Sequence, residues 1–169
     1  DEKLSKVKPA IADEADCAVF YTVTVEGLKV CSSPAWLQAR LEAMGQKSIN
    51  NIVDVSNYVL LELGQPTHFY DLAKITGDTL TCRRAKPGEE INTLDEGEHK
   101  LSERNLVIAD ASGPECIAGA MGGINSQVTD STSSIVIEAA AFTASSVRRS
   151  ARAAGVESEA KRRFERGVD

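Results

Sequence analysis

The stretch from Ile49 to Asp71, INNIVDVSNYVLLELGQPTHFYD, constrains this chain more than any other. Paired amides lead into an apolar run, a Gly64-Gln65-Pro66 break and then a histidine. Ile52, Val55, Val59 and Leu63 fall on one helical stripe, while Val53, Val55, Val59 and Leu61 also keep the even spacing of a strand. A helix over 52–63 is the reading adopted, because Asp54 can cap it, Gly64 can end it and Pro66 forbids its continuation. His68 then lies in the loop that leaves the helix end.

Upstream, the first fifteen residues, DEKLSKVKPAIADEA, are charged and poor in aromatics, and read as a loose linker or terminus, with the domain running over 16–169. Residues Cys17–Val30 are β-branched and aromatic around a Glu26-Gly27 break, which predicts a strand, a turn and a short strand. A helix should follow, with Ser33 as N-cap, Pro34 at the first helical position, Leu37, Leu41 and Met44 on one face, and Gly45 closing it. From Asp78 the pattern changes to short strand candidates, TLTCRRA, INTL, HKL, LVIAD, ECIAGAM and IVIEAA, separated by turn residues. Two helices close the chain, over Ala144–Ala154 and from near Ser158 to Arg166. Helices, then strands, then helices predict an α+β fold rather than alternating βαβ units.

At 169 residues the chain fits one ordinary domain or two small lobes sharing a core. Cys17, Cys31, Cys82 and Cys116 form no CxxC pair and no zinc spacing, so no metal site is predicted. They read as small buried hydrophobes in a reducing, cytoplasmic compartment. No apolar run reaches the roughly 18 residues of a membrane span. A net charge of −6 argues against gripping nucleic acid by electrostatics alone. The charge is uneven: Arg148 to Arg166 holds seven basic and three acidic residues, a local +4 that leaves −10 elsewhere. That segment suits either a phosphate backbone or a solvated helix with internal ion pairs.

Only two histidines narrow the search for chemistry. His68 follows a rigid Gln-Pro turn and, near neutral pH, could orient or deprotonate water; His99 sits in a charged GEHK turn and reads as exposed. Ser56 and Asn57 would occupy the first turn of the 54–63 helix, either holding a ribose hydroxyl or ligand amine or simply stabilising the helix start. In CIAGAMGGINS the small residues Ala118 and Gly119 leave room for a planar ring or for close strand packing. The segment is neither a P-loop nor a dinucleotide fingerprint, so nothing there implies ATP or NAD. Glu138 interrupts the apolar run IVIEAAAF, and a carboxylate in a buried strand must find a partner or take up a proton. Arg148 or a backbone cap would be a structural partner; a ligand hydroxyl would be a functional one. No serine–histidine–acid order or cysteine nucleophile is visible, so any hydrolysis must rest on positioned water and binding.

The block 49–71, together with CIAGAMGG (Cys116–Gly123), IVIEAAAF (Ile135–Phe142) and RRFERGVD (Arg162–Asp169), resembles the B3/B4 domain of bacterial phenylalanyl-tRNA synthetase β chains. The resemblance covers roughly Ser32 to the end. It implies a three-layer α+β domain, a β-sandwich-like core of short, mostly antiparallel strands flanked by helices. It further implies a hydrolytic second sieve that clears tyrosine from mischarged phenylalanine tRNA. By matching position, His68, Ser56 and Asn57 would serve catalysis, and Glu138 would recognise the tyrosine hydroxyl. Ala118 and Gly119 would line the aromatic pocket, with Ser158 and Ala160 as the small pair near the end. Serine replaces the family's threonine at both 56 and 158, and Glu159–Arg162 is more charged than the family's segment. The domain itself would need no cofactor; ATP and Mg²⁺ would serve the parent ligase, bound on a partner α subunit. The chain lacks aminoacylation and anticodon-binding motifs and ends within ERGVD, which reads as a segment of a longer subunit. Two other functions fit the same residues: a free-standing aminoacyl-tRNA deacylase, and a non-catalytic module bracing the tRNA or a neighbouring subunit.

Overall fold

The two-residue period of a strand puts Val136, Glu138 and Ala140 of SIVIEAAAF on one face, and the fold buries that face. In the computed structural model, which describes residues 5–167, this segment is the centre of a three-stranded sheet. Ser134–Phe142 (β10) pairs antiparallel with Cys17–Glu26 (β2) on one side and with Thr67–Asp71 (β3) on the other. A second, five-stranded sheet packs across from it. Its order is Lys8–Ile11 (β1), Thr79–Arg84 (β4), Leu106–Ala109 (β7), Pro114–Ile117 (β8) and Met121–Gly122 (β9). Only β1 and β4 run parallel; every other pairing in the two sheets is antiparallel. Glu90–Asn92 (β5) and Glu98–Lys100 (β6) form a separate hairpin.

The main core lies between the two sheets, where Phe20, Tyr70 and Val136 meet Leu80, Leu106, Ile108 and Cys116. All four residues of β7 are buried: Leu106 and Ile108 enter this core, and Val107 and Ala109 enter a second one with Ile117, Ala151 and Val156. A strand covered on both faces reads as an unbroken apolar run, which is why LVIA lacks alternation. The helix Ala144–Ala154 (α3) bridges the two cores through Val147 and Ala151. Its first turn is tied to the start of β2 by Asp16, which accepts hydrogen bonds from Arg84 and from Ser146 Oγ (2.5 Å). Burial alone would raise the Asp16 pKa, but those bonds and the two nearby arginines hold it below the usual range. The fold is α+β, with layers of short, mostly antiparallel strands flanked by helices, as expected.

Several local expectations are corrected. Residues 1–4 lie outside the described region, but Lys8–Ile11 is a strand rather than loose linker, and Val7 is buried. β4 supplies an edge to pair with, something the polar sequence of 1–15 does not announce. Leu28–Val30 forms no strand after Gly27. In the first helix (α1, Ala35–Ala43) Pro34 is the cap residue and Ser33 does not cap it; Leu37 and Leu41 are buried but Met44 is exposed. The second helix (α2) starts earlier than expected and spans Asn51–Leu63. Its cap is Asn50, whose side-chain oxygen accepts from the N–H groups of Ile52 (3.1 Å) and Val53 (2.9 Å). Asp54 is buried instead, and accepts from Ser33 Oγ, Ser48 Oγ and the Ile49 N–H at 2.5, 2.5 and 2.8 Å. Burial opposes ionisation of that carboxyl, yet the three donors pull its pKa below normal. The final helix (α4) spans Glu159–Arg166, close to the expected bounds, with Ser158 as its cap.

Candidate functional site

The site begins with β3, which the sequence reading placed in a loop. Antiparallel pairing sets His68 directly opposite Glu138, which in turn lies opposite Thr22 on β2. Residues directly opposite in such a pair share a face, so these three form a row on the inner face of the sheet. Tyr70, two residues beyond His68, belongs to the same face, and the two rings meet edge to face at 4.5 Å.

Above this row lies a cavity of about 70 Å³ walled by Pro66, Thr67, His68, Cys116, Ile117, Gly119, Met121, Gly122, Glu138, Ala160 and Phe164. Next to it runs a groove of about 500 Å³ along α2, bounded by Asn50, Ser56, Asn57, Leu94, Ser158, Glu159 and Ala160. Pro66, Thr67, His68 and Ala160 wall both spaces. A small chamber therefore adjoins a longer groove, both with mostly apolar walls, and His68 stands at the boundary.

Two side chains dominate the electrostatics. Burial drives the Glu138 carboxyl up to about 7, although the hydrogen bond it accepts from the Tyr70 hydroxyl pulls the other way. The partner is thus neither Arg148 nor a backbone cap, the two structural candidates from sequence. His68 is only half-buried, yet its Nε2 is sealed from solvent and without a hydrogen-bond partner among the described residues. Burial lowers its pKa to about 4, so the ring is neutral at physiological pH. The seal comes from Gly122: a Cβ there would strike His68 Cε1 and come within 3.0 Å of Nε2. Glycine at 122 is what lets the imidazole lie this close to β9.

The other expected residues are distributed as follows. Ser56 and Asn57 border the groove, but in the second turn of α2, where their own N–H groups lie beyond the first, unpaired turn. Ser56 Oγ is 2.8 Å from the Thr67 carbonyl oxygen, to which it donates, and 3.0 Å from Thr67 Oγ1, which ties α2 to the residue preceding His68. Ser158 Oγ donates to the Ala120 carbonyl (2.6 Å) and accepts from the Lys161 N–H (3.1 Å). Ala160 reaches both spaces. Gly119 borders the cavity, but a Cβ on it would point at Phe142, Phe164 and Val147, and its φ of 67° already disfavours other residues. Ala118 is fully buried in the main core and does not line the cavity, whereas both its neighbours do. His99 is half-buried on β6 rather than exposed in a turn, with Nε2 3.0 Å from Thr93 Oγ1. No cluster of three or more potential metal ligands occurs among the described residues.

The B3/4 domain model matches residues 16–169. The chain belongs to the B3/4 family. This family is found in bacterial phenylalanyl-tRNA synthetase β subunits. The chain is 48% identical over 153 residues to the phenylalanine–tRNA ligase β subunit of Moorella thermoacetica, covering 90% of this chain and 19% of that protein. It is 46% identical over 163 residues to the β subunit of Anaeromyxobacter dehalogenans, covering 96% and 20%. Against that of Bdellovibrio bacteriovorus it is 50% identical over 145 residues, covering 86% and 18%. It therefore spans about a fifth of these relatives' length. An N-terminal fragment of the phenylalanyl-tRNA synthetase β subunit from Pyrococcus horikoshii superposes with a TM-score of 0.58 at 14% identity, covering 91% of this chain and 50% of that one, a likeness of fold alone.

Within this B3/4 domain, two residues escaped sequence reasoning: Tyr70 and Thr67. The alternation His68-x-Tyr70 was a usable signal for the first, had the segment been read as a strand. Among the described residues no helix is long and apolar enough to cross a membrane. The basic segment resolves in part into ion pairs: Lys161 with Glu157 (2.6 Å) and Glu165 (3.3 Å), and Arg163 with Glu159 (3.0 Å).

Proposed function

We propose that this B3/4 domain is a hydrolytic editing module that clears tyrosine from mischarged phenylalanine tRNA, acting in the cytoplasm within a phenylalanine–tRNA ligase β subunit. The observation that carries the reading is Glu138, a carboxyl on the inner wall of a mostly apolar chamber that shares His68 with a longer groove. An apolar pocket built for phenylalanine rejects an isostere that adds only a hydroxyl by about a hundredfold. A second chamber can demand the hydroxyl instead. Tyrosine would donate to Glu138, whereas phenylalanine would leave that group facing a ring edge, at a cost of order 1–3 kcal/mol.

In this reading the amino-acid side chain enters the chamber and the terminal nucleotide lies in the groove beside Ser56, Asn57 and Ser158. The scissile ester then falls near His68. The bond broken joins the aminoacyl carbonyl to a ribose oxygen; water supplies the hydroxyl of the free amino acid and a proton returns to the ribose. Neutral His68 can hold that water or the nucleotide in place. Ala160 and Gly119 keep the chamber walls low, and Ala118 supports them from the core. ATP and Mg²⁺ belong to the ligation reaction of the parent enzyme with its α subunit.

The test is a deacylation assay of the complete ligase with tyrosyl- and phenylalanyl-tRNA. Rapid release of tyrosine and sparing of phenylalanine is expected, and Glu138→Ala should weaken that selectivity about tenfold while leaving the fold intact. A ligase that hydrolyses neither ester would leave only a bracing role, and normal selectivity in Glu138→Ala would remove Glu138 from substrate reading.

A further inference from the structure

Tyr70 is fully buried, and its hydroxyl has two partners. It donates to Glu138 Oε2, and it lies 3.2 Å from Cys116 Sγ. A phenol has one hydrogen to give. With that hydrogen committed to the carboxyl, the Cys116 thiol must be the donor of the second contact. The result is a directed chain, Cys116 S–H to Tyr70 O–H to Glu138, running from β8 through β3 to β10. Burial pushes the Tyr70 and Cys116 pKa values well above normal, so both remain protonated donors at any physiological pH.

We infer that Tyr70 is a positioning residue for substrate selection: its hydroxyl fixes the Glu138 carboxyl through one oxygen and leaves the other for a substrate phenol. The inference rests on the editing function proposed above. The protein then holds its own phenol against the group that is to recognise a second phenol. Three features support this role over plain packing. Glu138 lines the chamber, and among the described residues Oε2 alone is engaged by a side chain. The Tyr70 ring is itself braced by His68, at the edge of that chamber. A carboxyl so buried also needs a donor if it is to act as a charged acceptor at all.

The groups facing Glu138 are few. β3 presents His68 and Tyr70, β8 presents Cys116, and the buried thiols Cys17 and Cys82 lie on β2 and β4. α4 presents Ala160 and Phe164, and β9 presents Met121 and Gly122; none of these four titrates. With His68 neutral and the Cys116 thiol protonated, Tyr70 is the main group holding the carboxyl down.

The test is the pH profile of selectivity in the complete ligase, read as the ratio of tyrosyl- to phenylalanyl-tRNA deacylation. In the natural enzyme the ratio should rise with pH through about 7, as Glu138 ionises. Tyr70→Phe keeps the ring and removes the hydroxyl. It should move the midpoint upward by about one pH unit and lower selectivity at neutral pH about tenfold. Cys116→Ala, which removes the far donor and a small part of the chamber wall, should shift the midpoint the same way by less, and that shift decides the matter if Tyr70→Phe does not fold. A natural enzyme that deacylates neither ester overturns the underlying function. A selective natural enzyme whose midpoint and ratio are unmoved by Tyr70→Phe, or by Cys116→Ala where only that variant folds, overturns the role of Tyr70 and leaves the function standing.

Discussion

His68 shows how little a residue type fixes by itself. An imidazole is the usual choice for proton transfer near neutral pH. Here burial lowers its pKa from 6.5 to about 4, which leaves a weak base but a permanently neutral ring. Such a neutral ring, on the wall of both chamber and groove, is suited to hold a water or a ribose hydroxyl rather than to shuttle charge. His68→Ala should therefore slow single-turnover deacylation by about 10²-fold, at the low end for positioned groups, with the tyrosine-to-phenylalanine ratio little changed. The deficit should also stay constant as pH passes through 6.5. An unchanged rate would make His68 a core residue only, and a deficit that vanished in mild acid would restore it to general-base duty.

At the scale of elements, the groove depends on how α2 is anchored. Asn50 caps the helix, and Asp54 one turn later gathers three donors from the approach to α1 and from the Ser48–Ile49 segment. The helix is thus held at its start by two acceptors with different tasks, and Ser56 then fastens it to Thr67. Replacing Asp54 by alanine leaves the buried Ser33 hydroxyl, the half-buried Ser48 hydroxyl and the Ile49 N–H without their acceptor, which should cost about 2–4 kcal/mol. Urea unfolding would measure it; a loss under about 0.5 kcal/mol, the scale of ordinary surface changes, would refute the anchoring role. α2 was legible as a helix because its 3.6-residue stripe runs its whole length. Its true start was not, since Asn and Asp cap equally well in isolation and only burial separates Asn50 from Asp54.

For the whole molecule, the balance of charge states sets a pH dependence with two opposing parts. His68 contributes stability that is complete above 6.5 and is lost as pH falls towards about 4, because the unfolded chain takes up the proton first. Glu138 acts in the opposite sense. Its folded pKa is raised from 4.5 to about 7, so the native state binds the extra proton, and stability declines as pH rises across that window. Glu138→Gln keeps an acceptor for Tyr70 and removes the ionisation. Relative to the natural chain it should gain stability steadily from mildly acidic to neutral pH, by about 3 kcal/mol in all at roughly 1.4 per pH unit. Denaturation midpoints across that range would show it. A difference independent of pH would mean that Glu138 stays ionised throughout.

The sequence by itself determined the α+β class, the two closing helices, the run of short strands and the family blocks. The first three rest on local periods and turn chemistry, and the blocks on their resemblance to a known family. Glu138 was legible for a related reason, since a charge inside an apolar run stands out wherever the run folds. Only the tertiary structure decided the rest. THFYD is too short and too close to Pro66 to declare itself a strand, and it becomes one because β10 offers an edge. The same holds for Lys8–Ile11 beside β4. Pairing of β3 with β10, 67 to 71 in sequence against 135 to 139, is what sets His68 opposite Glu138 and brings Tyr70 to its carboxyl. No local pattern encodes a contact across that separation, because its energy comes from a register and a shared core that exist only once the sheets have closed.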